Sequence, residues 1–200
     1  MKPTETKTYL ALGDSMSIDA YTGVPGGGAV SQFYKRLQAR EHGCWRLDDR
    51  TCDGCTIEGV ARLLPLPPAD LITMTIGGNN LLQNMDRDPE ESMPEFARGY
   101  NALLDRIAEC TAGAIVICGD VYRPQADFWR LDLHEIGLDM ALDWANLNIA
   151  AAIATHGFRL AGIYGAFLGH EDEYLRLGIE PTLAGATAIA GLFEQAAFGA

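Results

Sequence analysis

Basic residues are scarce in this 200-residue chain: 15 lysines and arginines stand against 27 aspartates and glutamates, a formal charge of −12. No basic stripe is available to displace counterions, which excludes a nucleic-acid backbone as partner. The same deficit excludes docking on an anionic lipid surface. Long apolar runs are also missing. The polar start, Met1–Thr8, leads into only the short apolar run Tyr9–Leu12, too brief for the core of a secretory signal and far short of a membrane span. A soluble, cytoplasmic protein is expected. Cysteine is sparse and odd in number, five in all, which does not suit a disulfide framework in a chain long enough to build its own core. Cys44, Cys52 and Cys55 cluster near His42, but a single Cys-x-x-Cys lacks the second paired set of a structural zinc site. Half-buried thiols around a turn account for the cluster. The glycine-rich stretch Gly23–Gly28 does not follow a strand directly and lacks the Lys-Ser/Thr of a phosphate-binding loop, so it reads as a rim loop. No metal or organic cofactor is expected.

What remains is an ordinary globular profile, 48% hydrophobic and 21% charged. The length fits one domain over residues 1–200 that buries roughly 70% of its unfolded surface. Strand and helix patterns alternate throughout. Strands are expected at Thr8–Leu12, Trp45–Leu47, Asp70–Ile76, Ala114–Cys118 and Phe158–Ile163. Helices are expected at Ala29–Glu41, Ile57–Leu64, Pro94–Cys110, Ile136–Thr155 and Thr182–Ala197. Such alternation implies a parallel sheet covered on both faces by right-handed crossovers, a three-layer α/β/α fold. Ligands of these sheets bind outside the carboxyl ends of the strands, so residues just after a strand lie on the functional rim.

Three strand ends carry unusual residues. The first reads Gly13-Asp14-Ser15, a serine on a tight turn where a nucleophilic hydroxyl could be held and exposed; a cap of the next segment would use the same triplet. The second leads to Cys52-Asp53-Gly54-Cys55, where Gly54 could bring a bare N–H to a substrate or supply a positive φ to the turn. The third is Gly77-Gly78-Asn79-Asn80, where an amide could donate to an oxyanion or serve turn chemistry. In this order and placement the residues resemble the SGNH (GDSL-type) hydrolase family over essentially the whole chain. The resemblance implies a flavodoxin-like five-stranded sheet and ester hydrolysis through an acyl-serine intermediate. It implies Ser15 as nucleophile, and an oxyanion hole made by the N–H groups of Ser15 and Gly54 with the Asn79 side chain. It also implies a small-molecule ester as the partner.

The resemblance breaks at the last block. The family ends with Asp-x-x-His-Pro, whereas this chain reads Leu177-Gly178-Ile179-Glu180-Pro181. Leu177 stands at the acid's position and Glu180 at the base's. Among four histidines, His42 and His156 each precede a glycine at a helix end, just before a strand, and so fall on the edge opposite Ser15. His134 falls on the functional rim but close to the next helix, and is held in reserve. His170, read as directly following the fifth strand, is the expected base. Glu180 is expected to orient it, with Asp172 as the alternative acid. A second reading keeps the fold as a catalytically silent protein that binds a small ester or carbohydrate. The stretch from Asp120 to Glu135 carries Tyr122, Phe128 and Trp129 on the rim, aromatics that either line a pocket or pin the loop.

Overall fold

A computed structural model describes residues 6–41, 44–129 and 135–199. Its elements run β1 (Lys7–Gly13), α1 (Ala29–Arg40), β2 (Trp45–Asp49), α2 (Ile57–Ala61), β3 (Leu71–Thr75), α3 (Gly78–Gln83), α4 (Pro89–Cys110) and β4 (Ile115–Gly119). There follow α5 (Glu135–Thr155), β5 (Arg159–Ala161), α6 (Ile163–Phe167), α7 (Glu171–Tyr174), β6 (Leu175–Arg176), β7 (Glu180–Pro181) and α8 (Leu183–Phe198). The first five strands form one parallel sheet in the order β2-β1-β3-β4-β5, and β6 and β7 pair as a small antiparallel hairpin. The expected three-layer α/β/α, flavodoxin-like arrangement is therefore observed.

The layering follows from the strand period of two. In β1, Leu10 and Leu12 face the layer of α2, α4 and α5, where they meet Val60, Tyr100, Leu104 and Ile149. Tyr9 and Ala11 face the layer of α1 and α8, with Phe33, Ile189 and Phe193. Each such large side chain, fully buried, stabilises the fold by about 1.5–3 kcal/mol before entropy is counted. Of the two polar tips among them, the buried Tyr9 hydroxyl shares a 2.7 Å hydrogen bond with Thr73 Oγ1, whereas the Tyr100 hydroxyl is buried without a hydrogen-bond partner among the described residues. Among the described residues no helix is long and apolar enough to cross a membrane.

Several boundaries differ from the sequence-based expectation. Helix α4 begins at Pro89 and carries Pro94 inside it, because Asp88 caps the end by accepting from the Glu90 N–H and Pro89 takes the first turn, where no N–H is needed. The fifth strand stops at Ala161 and the chain turns into α6 at Ile163. That extra helix lies between the strand and His170. The order of the sheet also fixes where a site can form. The chain leaves β1 to one side for β2 and returns to the other side for β3, so the crevice outside the carboxyl ends of β1 and β3 is the switch point.

Candidate active site

The turn after β1 is held by a close approach of two strands. Gly13 has φ +135°, and a Cβ there would come within 2.4 Å of Thr75 O, so only glycine fits. The Asp14 N–H then donates to that same carbonyl at 3.0 Å. The Asp14 side chain is buried, accepts from the Met16 N–H at 3.2 Å, and contacts the Thr75 hydroxyl. Thr75 in turn shares a 2.8 Å hydrogen bond with Ser17. This buried polar knot leaves Ser15 half-exposed at the crevice.

The second wall is the turn after β2. The Cys52 N–H donates to Gly13 O at 3.0 Å, which extends the parallel pairing past the strand and brings Gly54 beside the Ser15 turn. Gly54 is exposed, has φ +68°, and faces open space. The third wall is α3, which the sequence pattern did not separate from a turn. There Asn79 Nδ2 donates to Cys55 O at 3.0 Å. An amide nitrogen has two hydrogens, so this bond orients the group and leaves one donor free for the crevice. Asn80, quoted in the sequence only as turn chemistry, is the strut between the walls. It accepts from the Ile57 N–H at 2.9 Å and donates to Glu58 at 3.1 Å.

The fourth wall carries Glu180, on β7. Its side chain is buried and lies near the Ser15 hydroxyl, which favours the charged carboxylate. Burial raises its pKa above the ordinary 4.5; the Ser15 contact partly offsets this, and the negative charge of Asp53 adds to it. Glu180 Oε2 is buried without a hydrogen-bond partner among the described residues. The loop before Glu180 is clamped from β4. The Gln125 N–H donates to Gly178 O at 2.8 Å, and Gln125 Oε1 accepts from the Gly178 N–H at 3.0 Å. Tyr122, stacked on Phe167 with ring centroids 4.8 Å apart, donates its hydroxyl to Ile179 O. Leu177, at the acid's position, takes the left-handed conformation with φ +53° and is 69% exposed.

A cavity of about 510 Å³ opens beside Ser15 and Asn79. Its wall is largely apolar, drawing on Met16, Leu82, Met85, Met93, Val121 and Leu142. Tyr122 lines it as well as pinning its own loop, so both roles weighed for that aromatic are present.

The two described histidines, His156 and His170, do not line the cavity beside Ser15. His170 precedes α7 with its side chain 53% exposed. Its Nδ1 lies 3.6 Å from Glu173 Oε2, and its ring stacks on Tyr174 at 5.1 Å. Like Glu180, it does not line the cavity that holds Ser15, and α6 lies between β5 and it in the chain. Asp172 is exposed on the first turn of α7. His134 and His42 lie outside the described residues. His156 closes α5 at the opposite edge, with Nδ1 at 2.7 Å from Ala152 O and Nε2 at 2.9 Å from Asp105. The structure thus brings Ser15, Asn79 and Glu180 to one crevice with the Gly54 turn beside them.

Asp14 makes the site measurable in stability. Burial, with a further contribution from the charge of Glu180, pushes its pKa from 3.8 up to about 7. The folded state therefore holds a proton that the unfolded state has lost between those two values, and stability falls as pH rises through that window. Asp14→Asn removes the titration. Its stability relative to wild type is expected to improve by about 3 kcal/mol on going from about pH 5 to about pH 8. Urea denaturation of both proteins at the two pH values checks this; a difference independent of pH would show that Asp14 is ionised in the fold.

Comparison with known proteins places this geometry. The model of the GDSL-like lipase/acylhydrolase family matches residues 11–188. The spore germination lipase LipC of Bacillus licheniformis is 23% identical, with 97% of this chain and 98% of that protein covered. Among solved structures, the lipase Lip_vut3 from a goat rumen metagenome superposes with a TM-score of 0.81 at 22% identity, covering 97% of this chain and 99% of the other. The acetylxylan esterase Axe2 of Geobacillus stearothermophilus superposes with a TM-score of 0.73 at 15% identity, covering 98% and 95%.

Proposed function

Because this chain belongs to the GDSL-like lipase/acylhydrolase family, we propose that it hydrolyses esters through an acyl-serine intermediate on Ser15, with Glu180 in the place of the missing histidine. The observation that carries this reading is the proximity of Ser15, which lines an apolar cavity, to the buried carboxylate of Glu180. A carboxylate in water is a weak base toward a hydroxyl; burial raises its basicity, and contact removes the cost of bringing the pair together.

In the first half-reaction Ser15 Oγ attacks the acyl carbon while its proton passes to Glu180. The oxyanion that forms is met by the Ser15 and Gly54 N–H groups and by the free hydrogen of Asn79 Nδ2. Collapse breaks the bond to the alcohol oxygen, and Glu180 returns the proton to that leaving group. In the second half-reaction water attacks the acyl-serine, Glu180 accepts its proton, and collapse releases the acid with Ser15 re-protonated. His170 keeps its place as the comparison residue, because a histidine was the expected base. The apolar cavity beside Ser15 suits the acyl side of the ester, and the wall at Asp53 and Tyr21, whose side chains share a 2.7 Å hydrogen bond, is the polar side for the alcohol.

A series of p-nitrophenyl esters with acyl chains from acetyl to dodecanoyl tests this, together with labelling by a fluorophosphonate. The expected result is one label per chain, on Ser15, and kcat/KM rising with acyl length by about fourfold per methylene (about 0.8 kcal/mol each) until the cavity is full. A folded protein that takes no label and turns over no ester would instead be the silent binder.

A further inference from the structure

The turn that carries Gly54 has a thiol at each end. Cys52 is exposed, Cys55 is half-buried, and both are free. The Cys55 N–H donates to Cys52 O at 3.2 Å, with Gly54 at φ +68° in the third position. This is a β-turn of the type that needs glycine there, with its end Cα atoms under about 7 Å apart. A disulfide joins Cα atoms about 4.4–6.8 Å apart, so the backbone holds the pair in the bonding range. The sulfurs are otherwise engaged. Cys52 Sγ donates to Asp53 O at 3.4 Å and Cys55 Sγ to Thr56 O at 3.7 Å. The Cys55 sulfur also fills a niche over Gly59, where a Cβ would come within 2.7 Å of it. Cys55 O, finally, is the acceptor that orients Asn79.

We propose that Cys52 and Cys55 form a reversible disulfide that turns the hydrolase site off. The switching rests on the function proposed above; formation of the bond does not. The oxidant is a low-molecular-weight disulfide such as oxidised glutathione. Cys52 loses its proton and attacks one glutathione sulfur, and the other glutathione leaves as thiolate. Cys55 then loses its proton and attacks Cys52 Sγ, and the second glutathione leaves. Two protein thiols are oxidised by two electrons, one glutathione disulfide is reduced to two thiols, and the two protons pass to the departing thiolates. Burial holds the Cys55 thiol above its ordinary pKa, so the exposed Cys52 attacks the oxidant first, and the closeness of Cys55 in the turn offsets its small thiolate fraction in the second, intramolecular step. Pairing draws the Cys55 sulfur out of its niche and turns the peptide at Cys55, so the acceptor of Asn79 and the Gly54 N–H leave their positions together.

The test equilibrates the protein in glutathione buffers of graded ratio, then quenches with acid, alkylates and maps peptides. The expected result is a 52–55 cross-link that grows with the ratio. In parallel kcat/KM falls by about a hundredfold, the effect of losing one oxyanion donor, and amide exchange at residues 54–56 changes. Dithiothreitol restores all three. Cys52→Ser keeps the reduced enzyme's activity and is insensitive to the oxidant. The proposal is overturned if no 52–55 cross-link forms at any ratio, or if it forms while turnover and amide exchange stay unchanged. It is also overturned if Cys52→Ser is inactivated like wild type. If the reduced protein hydrolyses no ester, the function proposed above fails by itself, and the switch is judged by the cross-link and the exchange rates.

Discussion

Replacing Ser15 by alanine is expected to lower kcat for a p-nitrophenyl ester by at least about ten-thousandfold, with KM and the unfolding midpoint nearly unchanged. The size follows from the role. Without Oγ there is no acyl intermediate, and only the oxyanion donors and the cavity remain to favour the attack of water. The fold has little stake in this hydroxyl, because the turn is held by Asp14, Thr75 and Ser17. Steady-state kinetics after fluorophosphonate treatment of the Ser15→Ala preparation, which phosphonylates any carried-over wild-type enzyme, read the variant's own rate. Turnover above about one per cent of wild type in Ser15→Ala would remove Ser15 from the mechanism.

Glu180→Gln is the second large effect, about a thousandfold in kcat, within the range for loss of a general base. Glutamine preserves the shape and still accepts from Ser15, but cannot take a proton. The pH profile separates this from a structural role. The wild-type base works as the carboxylate, so activity is present above its folded pKa and is lost as pH falls through it. Burial places that limb above 4.5. In Glu180→Gln the residual rate is expected to lose the limb, while His170→Ala keeps both limb and rate. If His170→Ala instead abolishes turnover, the base is His170 and Glu180 returns to an orienting role.

The strand frame was legible chiefly at β1, β3 and β4, which are mostly buried apolar runs ended by turn residues, and Ser15 and Asn79 were legible because they sit directly beyond two of these runs. Short elements left no comparable signal. Helices α3, α6 and α7 span six, five and four residues, fewer than two turns, so no helical period can accumulate. Strands β6 and β7 are two residues each and exist through tertiary pairing. Ile163 reads as strand in the sequence but begins α6, so His170 follows that short helix and not the strand directly. Pro94 misled for a related reason: the apolar period of α4 starts near it, while the cap, Asp88-Pro89, lies in a charged stretch. The basicity of Glu180 was out of reach in sequence, since it depends on burial and on which side chain Ser15 meets.

The clamp on the Glu180 loop has a thermal consequence. Tyr122 and Gln125 follow directly from a core strand, and Phe167, beneath Tyr122, is fully buried. Ile179 and Glu180 therefore open with the sheet and not as a fraying surface segment. Amide exchange there should proceed through global unfolding, and heat or denaturant should extinguish catalysis in the same cooperative transition that dissolves the core. A partly melted state in which the fold persists while Glu180 has left Ser15 is therefore not expected.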